Sequence, residues 1–285
     1  MVHIVANSMK ESLFILLTVA AVWISDANLF AADTNSIEVD LNGIITRVIE
    51  KLQQGKNTEP DLASNLAEYD ALYARHKGEK SEAAAQILLA KANLYTQVLK
   101  EPEKAADVLK QFQHDFPEVQ INGNTDKLIE DLQRAAEVKK IQSSLVEGTP
   151  FPGFDEKDIN GKPLSIANYK GKVVLVDFWA TWCPLCLVEL PNVMATYKKY
   201  HDQGFEVIGI SLDEDRQQLE KFLKAKAMTW PQYNDGLYWK TKLAVKYGIE
   251  QLPSNYLLDG KGTIIGRNLM GDALEAAVAK ALASK

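Results

Sequence analysis

The chain has 285 residues, 46% of them hydrophobic and 25% charged, with a formal net charge of −6. That length and balance suit two domains of ordinary size and exclude a disordered or fibrous protein. No Lys/Arg-rich run is present, so neither nucleic acid nor an anionic membrane surface is an expected partner.

The first segment reads as an export signal. Lys10 precedes a mostly apolar run over 13–24, and Ser25-Asp26-Ala27 and Ala31-Ala32 offer small-residue cleavage points. About twelve apolar residues are few for a bilayer span. Residues 1–32 are therefore assigned as a signal peptide, with an uncleaved anchor or a short buried helix as alternatives, and the protein as exported and periplasmic.

Residues 33–145 read as an all-α bundle. Leu41, Ile44, Ile45, Val48, Ile49 and Leu52 recur at helical spacing until Gly55. A second helix starts near 58–60, carries Leu62, Leu66, Tyr69 and Tyr73 on one face, and stops at Gly78. Ser81 is a good N-cap for a third, with Ala84, Ile87, Leu88, Leu94, Tyr95 and Val98 inward. Pro102 opens a fourth, which buries Ala105, Leu109, Phe112 and Phe116 before Pro117. Asn124 or Thr125 caps a fifth, with Leu128, Leu132 and Ala135 inward. The third and fourth helices resemble one tetratricopeptide-type pair through Ala105, Leu109 and Pro117, but no second copy follows, so an antiparallel bundle is the expected architecture. His76 and His114 are isolated, and this half offers no catalytic cluster.

Residues 146–285 change period. Asn160-Gly161 marks a hairpin between strands at 154–159 and 162–166. The continuous apolar stretch 173–178 suits a central strand buried on both faces, and 205–212 suits a second. Helices are expected from the cysteine pair to about Tyr200, over 215–226, over 238–247 and over 272–282, with a hairpin around Asp259-Gly260. The order β-α-β-α-α-β-β-α gives a mixed sheet with helices on both sides.

The two cysteines of the chain, Cys183 and Cys186, form one C-x-x-C directly after the first of those buried strands. With Cys183 as N-cap, Pro184 falls at N1, where its missing N–H costs nothing, and Cys186 falls at N3. The two sulfurs then share one helical turn and can close a disulfide with little backbone movement. The helix end also favours a thiolate at Cys183, and a thiolate is what attacks disulfides. A structural zinc site needs about four ligands and finds two. Haem attachment needs His at 187, which is Leu. The peroxidatic pattern P-x-x-x-T-x-x-C fails at Val176 and Ala180. A static disulfide remains an alternative, though so small a loop constrains the unfolded chain little.

Four separated segments, 174–183, Cys186 with 189–191, 208–213, and 247–249 through 252–254, resemble the thioredoxin fold, and within it the exported TlpA/ResA-like thiol-disulfide oxidoreductases that overlap the AhpC/TSA redoxins. The likeness covers about half the chain and implies an α/β thioredoxin-like domain behind the helical bundle. It implies that Cys183 attacks and Cys186 resolves, and that Pro253 is a cis-proline whose loop leaves the backbone at Leu252 free to pair with an extended substrate. It also implies that Asp177 is a buried acid with a raised pKa, able to take the proton of Cys186, and that Trp182 packs beside the disulfide. As alternatives, Pro253 is an ordinary turn proline and Asp177 a hydrogen-bonded strand-end residue. Glu189 matches a family position, or is a solvated first-turn carboxylate. Pro immediately before the second cysteine is usual in the family, whereas this chain has Leu185 there and Pro184 before it. That dipeptide helps set the potential, so the sense of electron flow stays open. The implied partners are a disulfide-containing protein substrate and a membrane thiol-transfer donor, with a protein partner for the helical half and no metal or organic cofactor. The competing readings are a docking scaffold, a disulfide oxidant or isomerase, and a peroxidase.

Overall fold

The computed structural model describes residues 34–121 and 123–284; the segment read as a signal peptide lies outside them. The chain divides into two compact units, Met1–Ala136 and Glu137–Lys285. No helix among the described residues is long and apolar enough to cross a membrane.

The first unit holds α1 (Thr34–Gln53), α2 (Glu59–Arg75), α3 (Glu82–Asn93), α4 (Pro102–Asp115) and the start of α5 (Thr125–Ser144). Local chemistry sets most of these ends. Thr58 and Asp61 form a reciprocal capping box at α2, Ser81 caps α3 by accepting from the Ala84 N–H, and Pro102 stands in the first turn of α4. After Asn93 the helix widens into a π-helical turn over Leu94–Leu99 that ends at Lys100 in the left-handed region. Val48, Leu62, Leu72, Ile87, Leu94 and Phe112 are fully buried in its core. One expected face is out by a residue: Leu128 is exposed and Ile129 is buried with Leu132. Both 128 and 129 are helical neighbours of 132, so spacing alone does not choose between them.

In the second unit a short hairpin pairs β1 (Asp155–Lys157) with β2 (Pro163–Ser165). It is shorter than expected because Asp158 turns the chain, accepting from the N–H groups of Asn160 and Lys162 at 2.8 Å each. The main sheet contains β3 (Val173–Trp179), β4 (Phe205–Ser211), β5 (Gln232–Tyr233), β6 (Ser254–Leu258) and β7 (Ile264–Arg267), in the order β5-β4-β3-β6-β7. β3, β4 and β5 are mutually parallel, while β6 and β7 run antiparallel to their neighbours. The helices α6 (Pro184–Tyr200), α7 (Arg216–Ala225), α8 (Lys242–Lys246) and α9 (Asp272–Ala283) complete the unit.

β3 is central, and its residues alternate between two apolar layers. Val173 and Leu175 pack with Leu190 and Val193 of α6 and Leu274 and Val278 of α9. Val174, Val176 and Phe178 pack with Phe151, Tyr247 and Tyr256; the Phe151 and Tyr247 rings stack at 4.5 Å. The end of α5 belongs to this unit: Gln142 Nε2 donates to the carbonyls of Tyr247 at 2.7 Å and Gly248 at 3.1 Å. Two expectations are corrected. The single helix over 238–247 is broken into a 3₁₀ turn, Tyr238–Lys240, and α8, because Thr241 takes an extended ψ of 126° between them. The two-residue strand β5 was not foreseen, being too short to show any period.

Candidate active site

β3 delivers its C-terminal end to a tight turn that leads into α6. Asp213, just past the neighbouring β4, holds that turn: its carboxylate accepts from the Thr181 N–H at 3.1 Å, the Thr181 hydroxyl at 2.5 Å and the Ser211 hydroxyl at 2.8 Å. Asp213 is buried, and nothing in the sequence singles it out, because it opens the acidic run Asp213-Glu214-Asp215 and only the fold buries its first member.

Cys183 is the N-cap of α6 and Pro184 follows in its first turn. The Cys183 sulfur accepts the Cys186 N–H at 3.1 Å, and the two cysteines form a disulfide with their Cα atoms 5.3 Å apart. When the pair is reduced, the same N–H and the positive end of α6 stabilise negative charge on Cys183. Each cysteine is only 4% exposed. The surface above them is apolar: Trp182, Leu185, Leu187 and Val188 are exposed. Trp182 lies against Tyr238 at 4.9 Å and Trp239 at 5.9 Å between ring centroids.

The Leu252–Pro253 bond is cis. β6 starts at the next residue, Ser254, in register with Phe178 near the end of β3, so the fold brings the proline loop to the sheet edge that carries the cysteines. Leu252 packs against the apolar cluster containing Cys183 and Cys186.

Asp177 stands in the middle of the sheet, in register with Gly209 on one side and Asn255 on the other. Although part of its surface remains accessible, its surroundings are protein, and burial pushes its pKa up to about 7, helped by the negative charge of Glu189. Glu189 itself is buried rather than solvated. Its carboxylate accepts from the Gly271 N–H at 2.8 Å and from Asn192 at 3.0 Å, which ties α6 to the start of α9. Two carboxyl groups therefore serve this region, Glu189 on the dithiol helix itself, hydrogen-bonded at both oxygens, and Asp177 on β3, held near neutrality. Among the described residues, no group of three or more His, Cys, Asp or Glu side chains gathers as a metal site. The arrangement can hold a thiolate, exchange a disulfide and accept a proton behind it.

Residues 148–267 match the AhpC/TSA family. The chain is 29% identical over 124 residues to the thiol-disulfide oxidoreductase ResA of Bacillus subtilis, covering 44% of this chain and 68% of that protein. It is 34% identical over 120 residues to ResA of Bacillus thuringiensis subsp. konkukian, covering 41% and 66%. The match thus spans about two thirds of these relatives. The thioredoxin domain of a thiol-disulfide oxidoreductase from Bacteroides vulgatus is 32% identical, covers 48% of this chain and 98% of its own, and superposes with a TM-score of 0.44.

Proposed function

We propose that this chain, whose C-terminal unit is a thioredoxin-fold thiol-disulfide oxidoreductase domain of the TlpA/ResA kind, is an exported reductant of disulfides in other polypeptides. The observation that carries this reading is the Cys183–Cys186 pair capping α6 above a carboxyl group that titrates near neutrality.

In the reduced protein the Cys183 thiolate attacks a substrate disulfide. A Cys183–substrate bond forms, and one substrate sulfur leaves as a thiolate that takes a proton from water. Cys186 then gives its proton to Asp177 and attacks the Cys183 sulfur, releasing the second substrate thiolate and leaving the disulfide seen here. Two electrons have passed to the substrate, and a membrane thiol-transfer donor restores the dithiol. Trp182, Pro184, Leu252 and Pro253 frame the attacking sulfur and take an extended apolar segment of substrate.

The helical unit carries no comparable chemistry, and we assign it the docking of a partner. A deletion that tests this has to stop before Glu137, because Gln142 belongs to the C-terminal unit. It should leave turnover of a small disulfide intact while losing the partner. Export follows from the apolar run at 13–24 after Lys10 and is checked by fractionating cells.

The deciding experiment is trapping. Cys186→Ser should accumulate mixed disulfides with extract proteins, whereas Cys183→Ser should not. If Cys186→Ser captures none, the mechanism is wrong. The sense of electron flow is read from the reduction potential: about −270 mV supports a reductant, and about −180 to −120 mV an isomerase or oxidant.

A further inference from the structure

Gln232, on the edge strand β5, is only 2% exposed. It is in register with Gly209 of β4, and Gly209 is in register with Asp177 of β3. Side chains in register on adjacent strands point to one face, so Asp177, the absent side chain of residue 209 and Gln232 make a single row. The Gln232 amide fills the gap that glycine leaves. A Cβ added at 209 would lie 2.0 Å from Gln232 Oε1 and 2.6 Å from Nε2. The amide therefore stands about one strand spacing, roughly 4.8 Å, from the Asp177 position.

Its orientation is set by Trp179, two residues after Asp177 on the same face, whose indole N–H donates to Gln232 Oε1 at 3.0 Å. Nε2 is left buried without an acceptor among the described residues, and an unmet buried donor is costly. No described residue donates a hydrogen bond to the Asp177 carboxyl. On its other side Asn255 is committed to the backbone of Leu269, at 2.8 and 2.9 Å. α9 presents apolar Leu274 and Val278 to this layer, α6 presents Leu190 and Val193, and the negative Glu189 of α6 acts on Asp177. A cleft of about 470 Å³, lined by Asp158, Ile159, Trp230 and Gln232 among others, opens from solvent onto the far side of Gln232.

We propose that Gln232 is a positioning residue for disulfide exchange: its Nε2–H donates to the Asp177 carboxylate through one water bridging the amide, which fills the space beside Gly209, and the carboxyl group on the next strand. The bond opposes burial and the charge of Glu189, so that ionised Asp177 is available when Cys186 must lose its proton. This rests on the reading of Asp177 as that proton's acceptor, and it makes Gly209 a requirement of the site as well as of the sheet.

The test follows ionisation rather than turnover, so its outcome is independent of whether Cys186→Ser traps partners. In the oxidised full-length protein, the side-chain amide resonance of Gln232 should shift with the same pH midpoint as the Asp177 carboxyl carbon, and the shift should vanish in Asp177→Asn. Gln232→Met should raise the Asp177 midpoint by about one unit, because a donor to the charged form is lost. A Gln232 amide that stays flat while Asp177 titrates overturns the proposal, as does an unmoved midpoint in folded Gln232→Met. Should that variant fail to fold, the amide titration of the unmodified protein decides alone.

Discussion

Replacing Asp177 by Asn should strengthen the fold at alkaline pH while weakening the chemistry. Burial holds the Asp177 pKa at about 7 in the folded protein, against the ordinary aspartate value of 3.8. Between those values the native state keeps a proton that the unfolded chain has released, so stability falls as pH rises. A displacement of roughly three units corresponds to about 4 kcal/mol lost by the time pH exceeds 7, an upper bound for a group that keeps some solvent contact. Asn resembles the protonated acid and does not titrate. The variant should match the parent near pH 4 and exceed it by as much as about 4 kcal/mol near pH 8. Urea unfolding of the oxidised proteins, followed by tryptophan fluorescence, measures this directly, since Trp179, Trp182, Trp230 and Trp239 all lie in the C-terminal unit. The same variant should slow release of a Cys183-linked mixed disulfide, because Cys186 loses its proton acceptor. Identical pH dependence of stability in parent and variant would refute the assignment of a raised, buried acid.

Glu189→Gln keeps an acceptor for the Gly271 N–H but removes the negative charge beside Asp177; the Asp177 midpoint should fall, and the pH-dependent loss of stability should shrink with it. Gly209→Ala places a methyl group 2.0 Å from the Gln232 amide. It should cost about 1–3 kcal/mol in urea unfolding, with much of that recovered when Gln232→Ser is added. Thr58→Ala deletes the reciprocal cap of α2 and should destabilise the helical unit by about 1 kcal/mol, read as circular dichroism on heating, without altering disulfide exchange.

Much of the site was legible in order along the chain, because the signals are local. A continuous apolar strand and a C-x-x-C with proline at the first helical position each constrain their own backbone, and the observed β3 and α6 follow those signals; the cis Leu252–Pro253 bond was expected from the family resemblance alone. Capping residues such as Thr58 and Ser81 are equally local, and the helices begin where they stand.

What the sequence by itself determined is therefore the identity of the elements, the position of the dithiol at a helix start and the presence of one acid in an apolar strand. Only the tertiary structure decided the rest. The choice of Ile129 over Leu128 depends on what packs against α5, and the break at Thr241 on a backbone angle that no periodicity records. The burial of Glu189 depends on the Gly271 N–H, 82 residues away. The row Asp177–Gly209–Gln232 depends on strand register. Register and long-range hydrogen bonds join residues that share no local pattern, so their partners exist only once the sheet has formed.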